Sequence, residues 1–123
     1  MVSRSEEISK LLKTLTSTST DVDAAALIDN DGLTISAALP TDVEEDRVAA
    51  MSAALLEVSD RIVHELGRGL FELVMVRVSE GYTILARCGQ DAVLSVLTTR
   101  TAKLGLVFLD ASRSAKEVAR QIS

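Results

Sequence analysis

Aromatic residues are almost missing from this chain: Phe71, Tyr82 and Phe108 make up 2% of 123 residues, and tryptophan is absent. Three scattered rings cannot form a base-stacking platform for single-stranded nucleic acid, so the core has to be aliphatic. Cys88 is the only cysteine, which excludes an intrachain disulfide and agrees with a reducing compartment. His64 is the only histidine, and no cysteine or histidine pair stands at metal-ligand spacing, so neither metal nor cofactor is expected. No Gly-x-x-x-x-Gly-Lys-Ser/Thr is present, so the chain is not itself a P-loop nucleotidase. Thirteen basic residues face 18 acidic ones, a net charge of -5 without a basic run, and nucleic acid is not an expected partner. No run approaches the roughly 20 apolar residues of a membrane span. The start, Met-Val-Ser-Arg-Ser-Glu-Glu, has no apolar stretch of a secretory signal behind it. A soluble cytoplasmic protein, with no membrane insertion, is the expectation.

What is present is scaffold. Apolar residues make up 47% of the chain, enough for one core, and a single domain over residues 1–123 is expected. Residues 3–15 read as a helix: Ser3 and Glu6 have capping-box spacing, and Ile8, Leu11, Leu12 and Leu15 form an apolar stripe. Residues 16–20, all Thr and Ser, read as a linker. Residues 24–28 and 33–39 read as strands joined at Asn30-Asp31-Gly32, where glycine supplies positive φ, and Pro40 ends the second. Thr41 and Glu44 again have capping-box spacing ahead of a helix running to Leu66 and stopping at Gly67. A strand over 70–78, apolar on both faces and therefore expected to be covered on both, leads to the turn at Ser79-Glu80-Gly81. Strands follow over 82–88 and 92–98. Residues 104–122 begin ambiguously, since Leu106 to Leu109 suits a strand, but the apolar spacing over the whole length indicates a helix. The order αββαβββα predicts an α+β layer sandwich, a five-stranded antiparallel meander with helices on both faces.

The central helix carries two adjacent apolar stripes. Val48, Met51, Leu55, Val58, Ile62 and Leu66 form one; Ala49, Ala53, Leu56 and Val63 form the other. That arc is wider than one sheet contact requires. A helix sunk deep in the fold explains it, and so does a helix with one stripe on its own sheet and the other on a partner subunit; the second is preferred for a chain this small. Glu57, Asp60, Arg61, His64 and Arg68 form the polar strip. Ser59, Asp60 and His64 have the residue types of a nucleophilic triad, but all three sit on one helix with no oxyanion hole in view, so no catalytic residue is assigned. Glu44 and Glu45 suit the helix dipole. Cys88 ends an alternating strand on its apolar side and reads as a small buried hydrophobe. Arg87 is open between a neighbour and water.

The order of elements, the hairpin Leu27-Ile28-Asp29-Asn30-Asp31-Gly32-Leu33 and the Leu104-Gly105-Leu106-Val107 opening of the last helix together resemble the Roadblock/dynein light chain family over nearly the whole chain. Gly105 inside a helix, where glycine is disfavoured by roughly 1 kcal/mol, suggests close packing against a neighbouring backbone. The resemblance implies a profilin-like Roadblock fold. It implies a homodimer or heterodimer in which the central helix and third strand of each subunit meet, joining two sheets into one. On this chain that seam falls on Met51, Ser52, Leu55, Ser59, Ile62, Phe71, Leu73 and Met75. Many members, the MglB-like stand-alone domains among them, work with a small Ras-like GTPase without donating a catalytic residue. The polar strip, Glu57, Asp60, Arg61, His64 and Arg68, would then be the GTPase-binding surface. A structural adaptor indifferent to nucleotide state is the alternative, and a small-molecule sensor module a further one.

Overall fold

The computed structural model describes residues 3–122. Helices and strands follow in the order α1 (Arg4–Thr18), β1 (Val22–Asp29), β2 (Thr34–Ala38), α2 (Glu45–Leu66), β3 (Leu73–Val78), β4 (Gly81–Cys88), β5 (Ala92–Thr98) and α3 (Leu104–Ile122). All five strands pair antiparallel in one sheet of order β2-β1-β5-β4-β3. This corrects the expected simple meander. β1–β2 is a hairpin and β3–β4–β5 a meander, and β5 docks on β1 while α2 carries the chain from one sheet edge to the other. The reason lies in the strands. β1 and β5 are buried along almost their whole length, so they take the interior, where both faces are covered. β2 and β3 keep partly exposed residues and take the edges.

Helices α1 and α3 cover one face, over a core that includes Leu12, Leu27, Ile84, Leu94 and Val107. Only α2 covers the other, over Ala26, Ile28, Leu56, Phe71, Leu85 and Val93. In α1 the Ser3 hydroxyl accepts from the Glu6 N–H at 3.1 Å, as the spacing predicts. The helix does not stop at the Thr/Ser run. It runs on through Thr18 where a linker was expected, with the Thr16 and Thr18 hydroxyls donating to the carbonyls of Leu12 and Thr14 inside it.

In the β1–β2 turn, Asp29 Oδ1 accepts from the N–H groups of Asp31 and Leu33, each at 2.9 Å, and Gly32 takes φ 86°. The Thr41–Glu44 capping box does not form. The Val43 N–H bonds the Pro40 carbonyl at 3.1 Å, which uses this segment as a turn, and α2 starts at Glu45 with no side-chain cap. Its end is as predicted, with Gly67 left-handed at φ 61°. At the other end of the sheet, the Asp21 carboxylate accepts from the Lys103 N–H at 2.9 Å, tying the entry of β1 to the entry of α3.

Candidate functional site

Helix α2 lies on the sheet through small residues. Ala49, Ser52, Leu56 and Ser59 are buried there, and the serines and alanine let the helix approach closely. The opposite stripe points outward: Met51 is 64% exposed, Val58 and Ile62 are 53%, and Leu66 is 64%. Leu70, beyond the helix, is 80% exposed. Of the expected inner stripe, Ala49 and Leu56 are buried and Ala53 and Val63 are half-buried, while Ser52 and Ser59, expected in the seam, lie against the sheet instead; Met51, Val58, Ile62 and Leu66 are open in the protomer.

The third strand differs from expectation. It starts at Leu73 rather than Leu70, and it is an edge strand whose last three residues are exposed, so it is not covered on both faces. Strand alternation splits the expected seam. Val74 packs into the α2-side cluster, and Val76 and Val78 share that side. Leu73 and Met75 pack into the opposite cluster, under α1 and α3. Ser52, Ser59 and Phe71 are buried by the protomer itself. Of the residues expected in the seam, Met51 and Ile62 therefore lie exposed on the outer stripe, and Leu55 is half-buried against the α2-side core. The residues not anticipated there are Val58, Leu66, Val76 and Val78. Their spacing was readable for the helix, but only the register shows which side β3 turns toward α2.

The polar strip borders a cleft of about 730 Å³ between α2 and the β1–β2 turn, lined by Glu57, Asp60, Arg61 and His64 and, from the turn, Asn30 and Asp31. Arg68 is exposed but follows the cap at Gly67, so it is not on the helix. Asp60 is engaged from behind. Arg87 of β4 donates to Asp60 Oδ1 at 2.9 Å and to the carbonyls of Phe71 at 3.2 Å and Gln90 at 3.4 Å, and its guanidinium lies 5.3 Å from the Phe71 ring centroid. Asn30 donates to the same Gln90 carbonyl at 2.9 Å. Arg87, open at the sequence level, is the tie between α2 and the loops at this end of the sheet. Ser59 is buried while Asp60 and His64 are exposed, and Asp60 is held by Arg87, so the three residues make no triad.

Cys88 is fully buried, as read from its strand position, and burial pushes its thiol up to about 12. Among the described residues no group of His, Cys, Asp and Glu could hold a metal ion, and no helix is long and apolar enough to cross a membrane. Gly105 is a correction: beyond its own turn of helix, nothing in the protomer comes within 4 Å of where its Cβ would stand, so it marks no close approach to a neighbouring segment. The glycine that does is Gly81, at φ 149°, where a Cβ would fall 2.3 Å from the Thr98 carbonyl oxygen.

Residues 7–98, more than half of the chain, match the family model of the Roadblock/LC7 domain. The chain belongs to the Roadblock/LC7 family. The uncharacterised protein MJ1340 of Methanocaldococcus jannaschii is 30% identical over 97 residues, which span 79% of this Roadblock chain and 84% of that protein. Among solved structures, MglB in a tetrameric arrangement superposes with a TM-score of 0.88 at 21% identity, over 98% of this chain and 91% of that one. LokiProfilin2, in its complex with rabbit actin, superposes at 0.69 and 14% identity, over 95% and 98%. At these identities the two structures show the fold alone: a profilin-like Roadblock domain.

Proposed function

We propose that this Roadblock domain is a dimeric regulatory partner of a small Ras-like GTPase, acting in the cytoplasm through protein contacts and hydrolysing nothing itself. The observation that carries the dimer is the outer stripe of α2, Met51, Val58, Ile62 and Leu66, beside the open edge of β3 with Val76 and Val78 exposed. A contiguous apolar strip differs from singly scattered surface residues and calls for a covering partner. A second copy meets it with the same strip across a two-fold axis, and antiparallel pairing of two β3 edges satisfies their free backbone groups. The tetrameric arrangement in which MglB is found supports association between copies.

The GTPase follows from the family resemblance, and the polar cleft supplies a surface for it. The cleft is on the α2 side of the fold, its wall is fixed by Arg87, and it mixes both signs of charge. Such a surface regulates a switch protein by binding one nucleotide state better than the other. The test is a pull-down from the native cell with GDP or a non-hydrolysable GTP analogue. One small GTPase should be retained in one state only, and Arg61→Glu should release it while sedimentation still reports a dimer. Equal retention in both states would leave an adaptor.

A further inference from the structure

Charge is divided between the two sides of the sheet. Helices α1 and α3 together hold six basic and four acidic residues, and the rest of the chain holds seven basic and 14 acidic ones. The two helices are thus net +2 and the remainder net -7. On α3 the buried positions Val107, Ala111, Ala115 and Val118 face the sheet. The ridge turned to solvent repeats at three and four residues: Leu106, Leu109, Arg113, Lys116 and Arg120, all exposed. Beside it, α1 exposes Lys10 and Lys13. Arg120 pairs with Glu117, while Lys10, Lys13, Arg113 and Lys116 enter no ion pair among the described residues. The acidic residues do not interrupt the α3 ridge. Asp110 and Glu117 lie half-buried on its flank, and Glu6 and Glu7 stand in the first turn of α1.

We infer that the α1/α3 side docks on an anionic membrane surface, with Leu106 and Leu109 entering the headgroup layer and Lys10, Lys13, Arg113 and Lys116 meeting lipid phosphates. Exposed leucines followed by cations on one helix ridge make an interfacial contact: the leucines leave water and the long basic side chains reach to headgroup level. The dimer proposed above makes this side broad. Antiparallel pairing of two β3 edges requires a two-fold axis perpendicular to the sheet, which leaves both α1/α3 faces on one side and both α2 helices on the other. Ten strands at about 4.8 Å make that side roughly 45 Å wide. A bilayer is flat and anionic over such a span, which an acidic protein of ordinary curvature is not. The net charge of the remainder turns α2 and its cleft away from an anionic surface. The breadth rests on the dimer reading; the α3 ridge does not.

The test is cosedimentation of the full chain with vesicles of phosphatidylcholine, pure or with about a third phosphatidylglycerol, at low and high salt. The protein should bind the anionic vesicles at low salt and should be released by salt; pure phosphatidylcholine should not hold it. Arg113→Gln with Lys116→Gln should weaken binding about 25-fold, at about fivefold for each cation removed. Leu106→Ser with Leu109→Ser should weaken it about tenfold. Arg47→Gln, an exposed cation on α2, should change nothing. All these side chains are exposed, and circular dichroism checks that each variant is folded; should the leucine variant not fold, the Arg113/Lys116 variant decides. No binding to anionic vesicles, or an equal effect of Arg47→Gln, overturns the proposal. Undiminished binding by a folded leucine variant overturns it too, since the ridge would then hold any polyanion, an acidic protein or nucleic acid included. Sedimentation velocity without lipid separates the two readings: a dimer that ignores anionic vesicles overturns the membrane face alone, and a monomer that binds them overturns the dimer alone.

Discussion

Cys88 ends β4 with its Sγ donating to the Ala86 carbonyl at 3.8 Å. Burial raises its pKa from 9.0 to about 12, against smaller lowering effects of the Leu94 backbone and the Arg87 charge. The folded state therefore holds the thiol proton more tightly than the unfolded chain does. That contribution is complete below pH 9 and is lost as pH rises from 9 through 12. Unfolding free energy from urea titrations should fall across this window by up to about 1.4 kcal/mol per pH unit, and Cys88→Ala should remove the slope. Rapid labelling of the native thiol by a maleimide at neutral pH would contradict the burial. The glycines make a sharper pair. Gly81→Ala would place a Cβ against the Thr98 carbonyl in a left-handed conformation, and a loss of at least about 2 kcal/mol is expected. Gly105→Ala meets nothing in the first turn of α3 and should raise stability by up to about 1 kcal/mol. Thermal unfolding checks both, and a lower melting temperature for Gly105→Ala would show the site to be crowded after all.

Helix α2 is one element with two kinds of apolar position. Leu56 is 3% exposed against the sheet, whereas Met51 and Ile62 stand more than half in solvent. Met51→Asp with Ile62→Asp should leave the protomer folded, because neither carboxylate has to be buried in it. The same change should abolish association, since two charges per subunit would enter the seam without partners, at several kcal/mol. Circular dichroism and sedimentation together decide this: a variant that still dimerises moves the seam elsewhere. Arg87 holds the outer end of the helix to the sheet through Asp60, Phe71 and Gln90. Arg87→Lys keeps the charge and loses the fork that reaches both carbonyls, for an expected loss of about 1–2 kcal/mol in denaturant unfolding. No loss would mean that the carbonyls are equally well served by water.

For the whole molecule, one face of the sheet has two helices and the other has one. The covering is nearly complete over β1, β4 and β5 and thin at the β3 edge. That imbalance leaves the strip beside β3, and it predicts a dimer at micromolar concentration by sedimentation. A well-folded monomer there would remove the need for a partner on this face.

Much of this was written locally. The Ser3 cap, the turns at Gly32 and Gly81, the stop at Gly67 and the limits of β5 and α3 follow from short-range geometry: a hydroxyl near a free N–H, a residue without Cβ where φ is positive, an unbroken apolar period. The two stripes of α2 were legible for the same reason. Other features depended on neighbours distant in the chain. The docking of β5 on β1 arises because two doubly buried strands need the sheet interior, a choice invisible within either strand. The side on which Val76 falls depends on its pairing with Thr83, and one residue of register would reverse it. Arg87 finds Asp60 across 27 residues. Sequence alone thus determined the elements and the presence of an outward apolar stripe. The tertiary structure decided which residues share a face, because burial and pairing are properties of contacts between segments and not of any segment alone.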